Sequence, residues 1–106
     1  MIATVLSLVV AALFEISGDG VIRVGLTRAS APLLVAGAGL LGLYGFVVNY
    51  DRAIDFGRLM GTYIAVFFVV SQMISVVAFG ERPGARLLIG GALIVAGGIW
   101  IQLGVE

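Results

Sequence analysis

One acidic residue, Glu15, lies inside a long apolar stretch near the start of the chain. In a membrane helix, this position falls near the middle of the bilayer, where an acidic side chain costs about 2.5–3.5 kcal/mol. Apolar surroundings favour a neutral carboxyl group, so Glu15 could exchange protons near neutral pH or balance a bound cation. A protonated Glu15 that only hydrogen-bonds a neighbouring helix is the alternative. We favour a functional role, since ionisable residues inside the membrane usually mark transport pathways.

Two further charges, Asp19 and Arg23, follow Glu15 at intervals of four residues. On a helix this spacing places the three side chains along one stripe. Two roles for Asp19 remain open: it belongs to the same proton or substrate site, or it only forms an ion pair with Arg23. Gly18 lies beside the stripe, where it would allow a substrate or a partner helix to come close.

Three polar side chains farther along the chain are candidates for the same site. Tyr44 is deep enough in the second apolar stretch to line a cavity, and Tyr63 and Gln72 lie in the third stretch. Gln72 needs a partner inside the protein, because lipid cannot hydrogen-bond it. Two roles for Gln72 remain open: it lines the wall of a transport path, or it only forms a hydrogen bond between helices.

Two glycines in the fourth stretch, Gly90 and Gly97, are seven residues apart and share a helix face. Small residues at this spacing allow close helix packing, so we predict a seam here, within one subunit or between two.

The composition decides which elements carry these residues. Of the 106 residues, 61% are hydrophobic and 11% are charged. A soluble domain of this size cannot hide so much apolar surface. The net charge of zero argues against a nucleic-acid partner. The chain has no Cys and no His, and no nucleophile–base pair or phosphate-binding loop is visible, so neither an enzyme nor a cofactor or metal site is predicted.

The charges divide the chain into four apolar segments, each close to the ~20 residues that a spanning helix needs. We predict one all-α domain over residues 1–106, a four-helix transmembrane bundle with helices at about 2–25, 33–50, 59–79 and 87–105. The first segment lacks a basic start and contains acidic residues, so it is not predicted to be a signal peptide. The loops are short, which makes neighbouring helices antiparallel.

The arginines give a weak signal for orientation. Four of them fall near one membrane face and two near the other: Arg23, Arg28, Arg82 and Arg86 against Arg52 and Arg58. This bias weakly favours both termini outside the cytoplasm, and it is small enough to permit insertion in both orientations.

Two stretches carry a family resemblance. Glu15-Ile16-Ser17-Gly18, with Arg23 eight residues after the glutamate, resembles the first helix of the small multidrug resistance family. Phe79-Gly80-Glu81-Arg82-Pro83, Ile89-Gly90 and Leu93-Ile94-Val95-Ala96-Gly97-Gly98 are similar to its last loop and fourth helix. The third segment lacks that family's Trp and Gly-x-Gly, and Gly57-Arg58 with Tyr63 resembles the YnfA-like branch of the drug/metabolite transporter superfamily.

The resemblance implies a dimer, often an antiparallel homodimer, in a bacterial-type inner (cell) membrane. It implies that the first three helices enclose a chamber, that Glu15 binds protons or a cationic substrate, and that Gly90 and Gly97 join the subunits. We therefore expect proton-coupled export of small cationic or amphipathic compounds by alternating access. A non-transporting subunit of a hetero-oligomer, or a flippase for lipid-linked compounds or metabolites, is the alternative.

Overall fold

The computed structural model of the chain describes residues 2–50 and 52–103. Asp51 of the predicted second loop and residues 104 and 105 of the predicted fourth helix lie outside the described residues. The described residues form four α-helices and no strand: α1 (Ile2–Arg28), α2 (Ala31–Val48), α3 (Phe56–Phe79) and α4 (Ala85–Leu103). This confirms the all-α fold class.

All four helices are long and apolar enough to cross a membrane. At 1.5 Å per residue they measure about 27 to 40 Å, against a hydrocarbon core of about 30 Å. α1 has 27 residues and α2 has 18, so α1 extends beyond the hydrocarbon core and α2 just spans it.

The first loop is shorter than predicted, because α1 continues to Arg28 and α2 starts at Ala31. Ala29 adopts the left-handed conformation (φ 51°) that ends α1, and the Ser30 N–H donates to the Gly25 carbonyl oxygen at 2.9 Å. Ser30 then caps α2, since its hydroxyl oxygen accepts a hydrogen bond from the Leu33 N–H at 3.4 Å. The charges near the end of α1 therefore lie on the helix and not in a loop.

The last loop begins where α3 ends at Gly80, a left-handed residue (φ 64°) of the kind that commonly closes helices. The backbone N–H groups of Gly80 and Glu81 both donate to the Ser75 carbonyl oxygen, the second at 3.1 Å. The Ser75 hydroxyl also donates to the Glu81 carboxylate. Glu81 is thus hydrogen-bonded to the end of α3 and lies outside the membrane spans.

The chain divides into two compact helical units, residues Met1–Asp51 and Arg52–Glu106. Each is a hairpin: α1 packs against α2 in the first, and α3 packs against α4 in the second. Between 11% and 28% of the most apolar 18-residue stretch of each span is buried, so every helix has side chains left to contact lipid or another protein chain.

Candidate functional site

Glu15 lies at the centre of α1. The helix runs from Ile2 to Arg28, so thirteen residues precede Glu15 (2–14) and thirteen follow it (16–28). The side chain is partly exposed, whereas Leu8 and Ala11, two turns and one turn earlier, are fully buried. The central depth inferred from the sequence therefore agrees with the observed helix bounds.

The contacts between α1 and α2 define which residues of the hairpin face each other. A Cβ atom placed on Gly25 would lie 3.0 Å from the Leu34 side chain. A Cβ on Gly37 would lie 2.5 Å from Ile22, and one on Gly18 would lie 2.9 Å from Leu41. The two helices therefore pack antiparallel. Moving three or four residues towards the start of α1 corresponds to moving the same number of residues towards the end of α2.

The same register places Tyr44 opposite Glu15. Glu15 lies three residues before Gly18, and Tyr44 lies three residues after Leu41, which faces Gly18. Tyr44 is partly buried and interacts electrostatically with Glu15. The first hairpin therefore brings together three of the predicted site residues, Glu15, Gly18 and Tyr44.

Gly18 lies where α2 comes close to α1. An ideal Cβ atom placed on Gly18 would point towards α2 and would lie 3.0 Å from the carbonyl oxygen of Gly37. Gly37 was not singled out by sequence reasoning, because α2 contains four glycines. The other three, Gly39, Gly42 and Gly45, have open space where a Cβ would be. The packing distinguishes Gly37 from these.

Asp19 and Arg23 do not join this group. Both side chains are exposed, and no ion pair links them within the part of the chain that the structure describes. Glu15 faces α2, whereas Asp19 and Arg23 lie at the exposed surface of α1, so the predicted stripe is only partly shared with α2. This division of the stripe is geometric, because each four-residue step turns the side chain by about 40° beyond a full circle. Over eight residues the stripe turns away from α2.

In the second hairpin, Tyr63 and Gln72 lie on different faces of α3. Nine residues on an α-helix amount to two and a half turns, which directs the two side chains in opposite directions. Tyr63 is 4% exposed, and its ring lies 5.9 Å from that of Phe67, centroid to centroid. Tyr63 and Gln72 are thus separate features and not two parts of one cluster.

Gln72 carries a buried oxygen atom, Oε1, that has no hydrogen-bond partner among the described residues. Gln72 lies seven residues after Ala65, which packs against Gly98 of α4, so both share the face towards α4. From residue 87 to residue 99, α4 has only aliphatic side chains and glycines, so it offers no side-chain donor there. A bond between α3 and α4 thus does not account for Gln72.

Farther along the same hairpin, the Thr62 hydroxyl group donates a hydrogen bond of 3.2 Å to the side-chain oxygen Oε1 of Gln102. This link between α3 and α4 was not predicted, because forty residues separate the partners and only the fold shows that they meet. Thr62 is buried, so the bond satisfies a polar group in an apolar hairpin.

The glycines of α4 lie on two different faces of the helix. A side chain at Gly91 would meet Phe68, and one at Gly98 would meet Ala65, so these two glycines form the contact with α3. Gly90 and Gly97, the predicted seam, have open space where a Cβ would be. They remain candidates for contact with another subunit.

Comparison with known proteins identifies the family. Residues 1–105 match the family described as "Uncharacterised BCR, YnfA/UPF0060 family". A UPF0060 membrane protein of Streptomyces coelicolor is 41% identical over 92 residues, covering 86% of this chain and 81% of the relative. One from Saccharopolyspora erythraea is 37% identical over 99 residues, with 92% and 89% covered. No solved structure matches the chain significantly. The protein therefore belongs to the YnfA/UPF0060 family and is a multi-pass membrane protein of the bacterial type.

Proposed function

We propose that this protein exports small cationic or amphipathic compounds in exchange for protons, as a dimer, by alternating access. One observation carries the proposal: Glu15 lies at the centre of a membrane-spanning helix and faces Tyr44 of α2. A charge at this depth is costly, and such residues in membrane helices generally line substrate or proton routes.

A single carboxylate can couple the two fluxes, because it cannot hold a proton and a cation at once. With Glu15 ionised, the cation is attracted; once Glu15 is protonated, the cation is released. Since the chain has no His, carboxylates are its available proton carriers near neutral pH. Cation binding should therefore weaken as the pH falls.

Three residues of α3, Gln72, Tyr63 and Phe67, support a role in substrate binding. The buried Gln72 oxygen can accept a hydrogen bond from a ligand N–H or O–H group. The half-buried ring of Phe67, which packs against the buried ring of Tyr63, is an aromatic group of the type that binds organic cations. We assign these residues to substrate recognition.

The dimer is supported by the open face of α4. Gly90 and Gly97 pack against nothing in the described chain, and small residues at this spacing favour close helix association in membranes. The same open face would also suit a different partner protein, which is the basis of the second candidate function, a non-transporting subunit of a hetero-oligomer.

The decisive experiment is transport in proteoliposomes with an imposed pH gradient, using a panel of organic cations. We expect Glu15→Gln to abolish proton-driven flux. Asp55→Asn is the matched control, because it removes an exposed carboxylate at the N-cap position of α3 whose side chain makes no capping hydrogen bond. Unchanged flux in Glu15→Gln would exclude the proposed mechanism. If the unmodified protein shows no flux and Glu15→Gln disturbs its assembly, the subunit role is favoured instead.

A further inference from the structure

We propose that Tyr44 is a positioning residue for Glu15: its hydroxyl group donates a hydrogen bond to the Glu15 carboxylate, at a separation set by the glycine contact between α1 and α2. The inference deepens the proposed function, since it concerns the same carboxylate. It assigns the control of proton release to a single hairpin.

Tyr44 is the donor that the hairpin has available. It is the one polar side chain among the eighteen residues of α2. On α1, the residues one turn from Glu15 on the same face are Ala11, Ala12, Gly18 and Asp19, and none of them has a side-chain N–H or a hydroxyl group. Ser17 lies two residues from Glu15, on the far side of the helix. The facing position and the electrostatic interaction single out Tyr44.

The glycine contact determines how closely the two helices approach. An ideal Cβ on Gly37 would lie 3.0 Å from both the carbonyl oxygen of Gly18 and the backbone nitrogen of Ile22. These are backbone atoms, which cannot turn aside as a flexible side chain can. Alanine at Gly37 would therefore push α1 and α2 apart. Gly18 is one turn from Glu15, so the gap between Glu15 and Tyr44 would widen as well.

The expected chemical effect follows from which form of the carboxyl group the bond favours. A hydrogen bond donated to a carboxylate stabilises the ionised form. Removing the Tyr44 hydroxyl group should therefore disfavour the ionised form of Glu15. No other titratable group of α2 faces Glu15, and the nearest charges on α1, Asp19 and Arg23, are exposed.

The test is an infrared titration of Glu15 in lipid membranes without any ligand. The carboxyl band of Glu15 is assigned as the band that disappears in Glu15→Gln. In Tyr44→Phe, which removes only the hydroxyl group, we expect the titration midpoint to move up by about one pH unit. Gly37→Ala should move it in the same direction. Gly42→Ala is the matched control on α2, because it has open space for a Cβ.

An unchanged midpoint in both Tyr44→Phe and Gly37→Ala would overturn the inference. So would a shift of the same size in Gly42→Ala, which would show a general response of α2. Since the titration needs no substrate, it separates this inference from the proposed function. If Tyr44→Phe and Gly37→Ala show the expected shift but the protein transports nothing, only the transport proposal is refuted. If Tyr44→Phe fails to fold, Gly37→Ala still decides the question.

Discussion

Glu15 and Asp19 differ in their surroundings, although only four residues separate them. Glu15 faces α2 and interacts with Tyr44, whereas Asp19 is exposed and has no ion-pair partner among the described residues. Along α1 the two are about 6 Å apart. Both therefore lie within the hydrocarbon depth, but only Glu15 belongs to the group that α2 completes. This difference leads to a test at the scale of single residues.

We expect Asp19→Asn to keep most of the proton-driven flux, and Glu15→Gln to lose it. The reason is that the Asp19 side chain is exposed, so its charge is not the one that Tyr44 positions. Initial rates in proteoliposomes with equal amounts of protein measure both variants side by side. Equal losses in the two variants would instead assign the coupling to both carboxylates.

At the scale of the helices, α4 uses adjacent glycines for different contacts. Gly91 and Gly98 lie against α3, and Gly90 and Gly97 lie on the open surface. Adjacent residues on a helix differ by 100° in direction, so two seven-residue repeats can run side by side without sharing a partner. One repeat stabilises the hairpin, and the other is free to join a second chain.

Two leucine substitutions on α4 should separate these contacts. Gly98→Leu should destabilise the hairpin by about 1–3 kcal/mol, because the added side chain meets Ala65. Gly97→Leu should leave the hairpin intact and reduce dimerisation. Thermal unfolding in detergent reads out the first effect, and cross-linking through single introduced cysteines reads out the second.

The opposite pattern would contradict this division of α4. If Gly97→Leu lowered the unfolding temperature as much as Gly98→Leu, the Gly97 face would be packed within the chain. If Gly97→Leu dimerised normally, the subunit contact would lie elsewhere. The chain contains no Cys of its own, so each introduced thiol is a unique reporter.

For the whole molecule, the arginine distribution is the feature of the sequence that predicts how the spans insert. Four arginines lie beside the first and third loops and two beside the second. Because cytoplasmic loops are enriched in basic residues, this difference of two is the orientation signal. A signal so small should be easy to alter.

Replacing Arg82 and Arg86 by serine leaves two arginines on each side, so we expect both orientations in similar amounts. Labelling of a cysteine introduced at Ala53, with a reagent that does not cross membranes, measures the fraction on each side. Arg82→Lys with Arg86→Lys is the control, since it keeps both charges. A fixed single orientation in the serine variant would show that the arginines do not determine topology.

Much of this protein follows from its sequence alone. The four spans and the central depth of Glu15 could be inferred from the order of apolar and charged residues. The reason is that membrane insertion depends mainly on the summed hydrophobicity of a local segment. Residues that are neighbours only in three dimensions do not contribute to that sum, so the sequence is sufficient to predict the spans. The resemblance to the YnfA-like branch was carried instead by particular residues, Gly57, Arg58 and Tyr63.

The tertiary structure alone decided which face of each helix meets which neighbour. The helices are apolar nearly all round, so no polar face marks an inner or an outer side. Backbone contact between Gly18 and Gly37 sets the register that places Tyr44 opposite Glu15 and turns Asp19 outwards. Such packing depends on residues distant in the chain. For this reason the sequence identified Glu15 and named Tyr44 as one of several candidates, but it did not show that Tyr44 lies opposite Glu15.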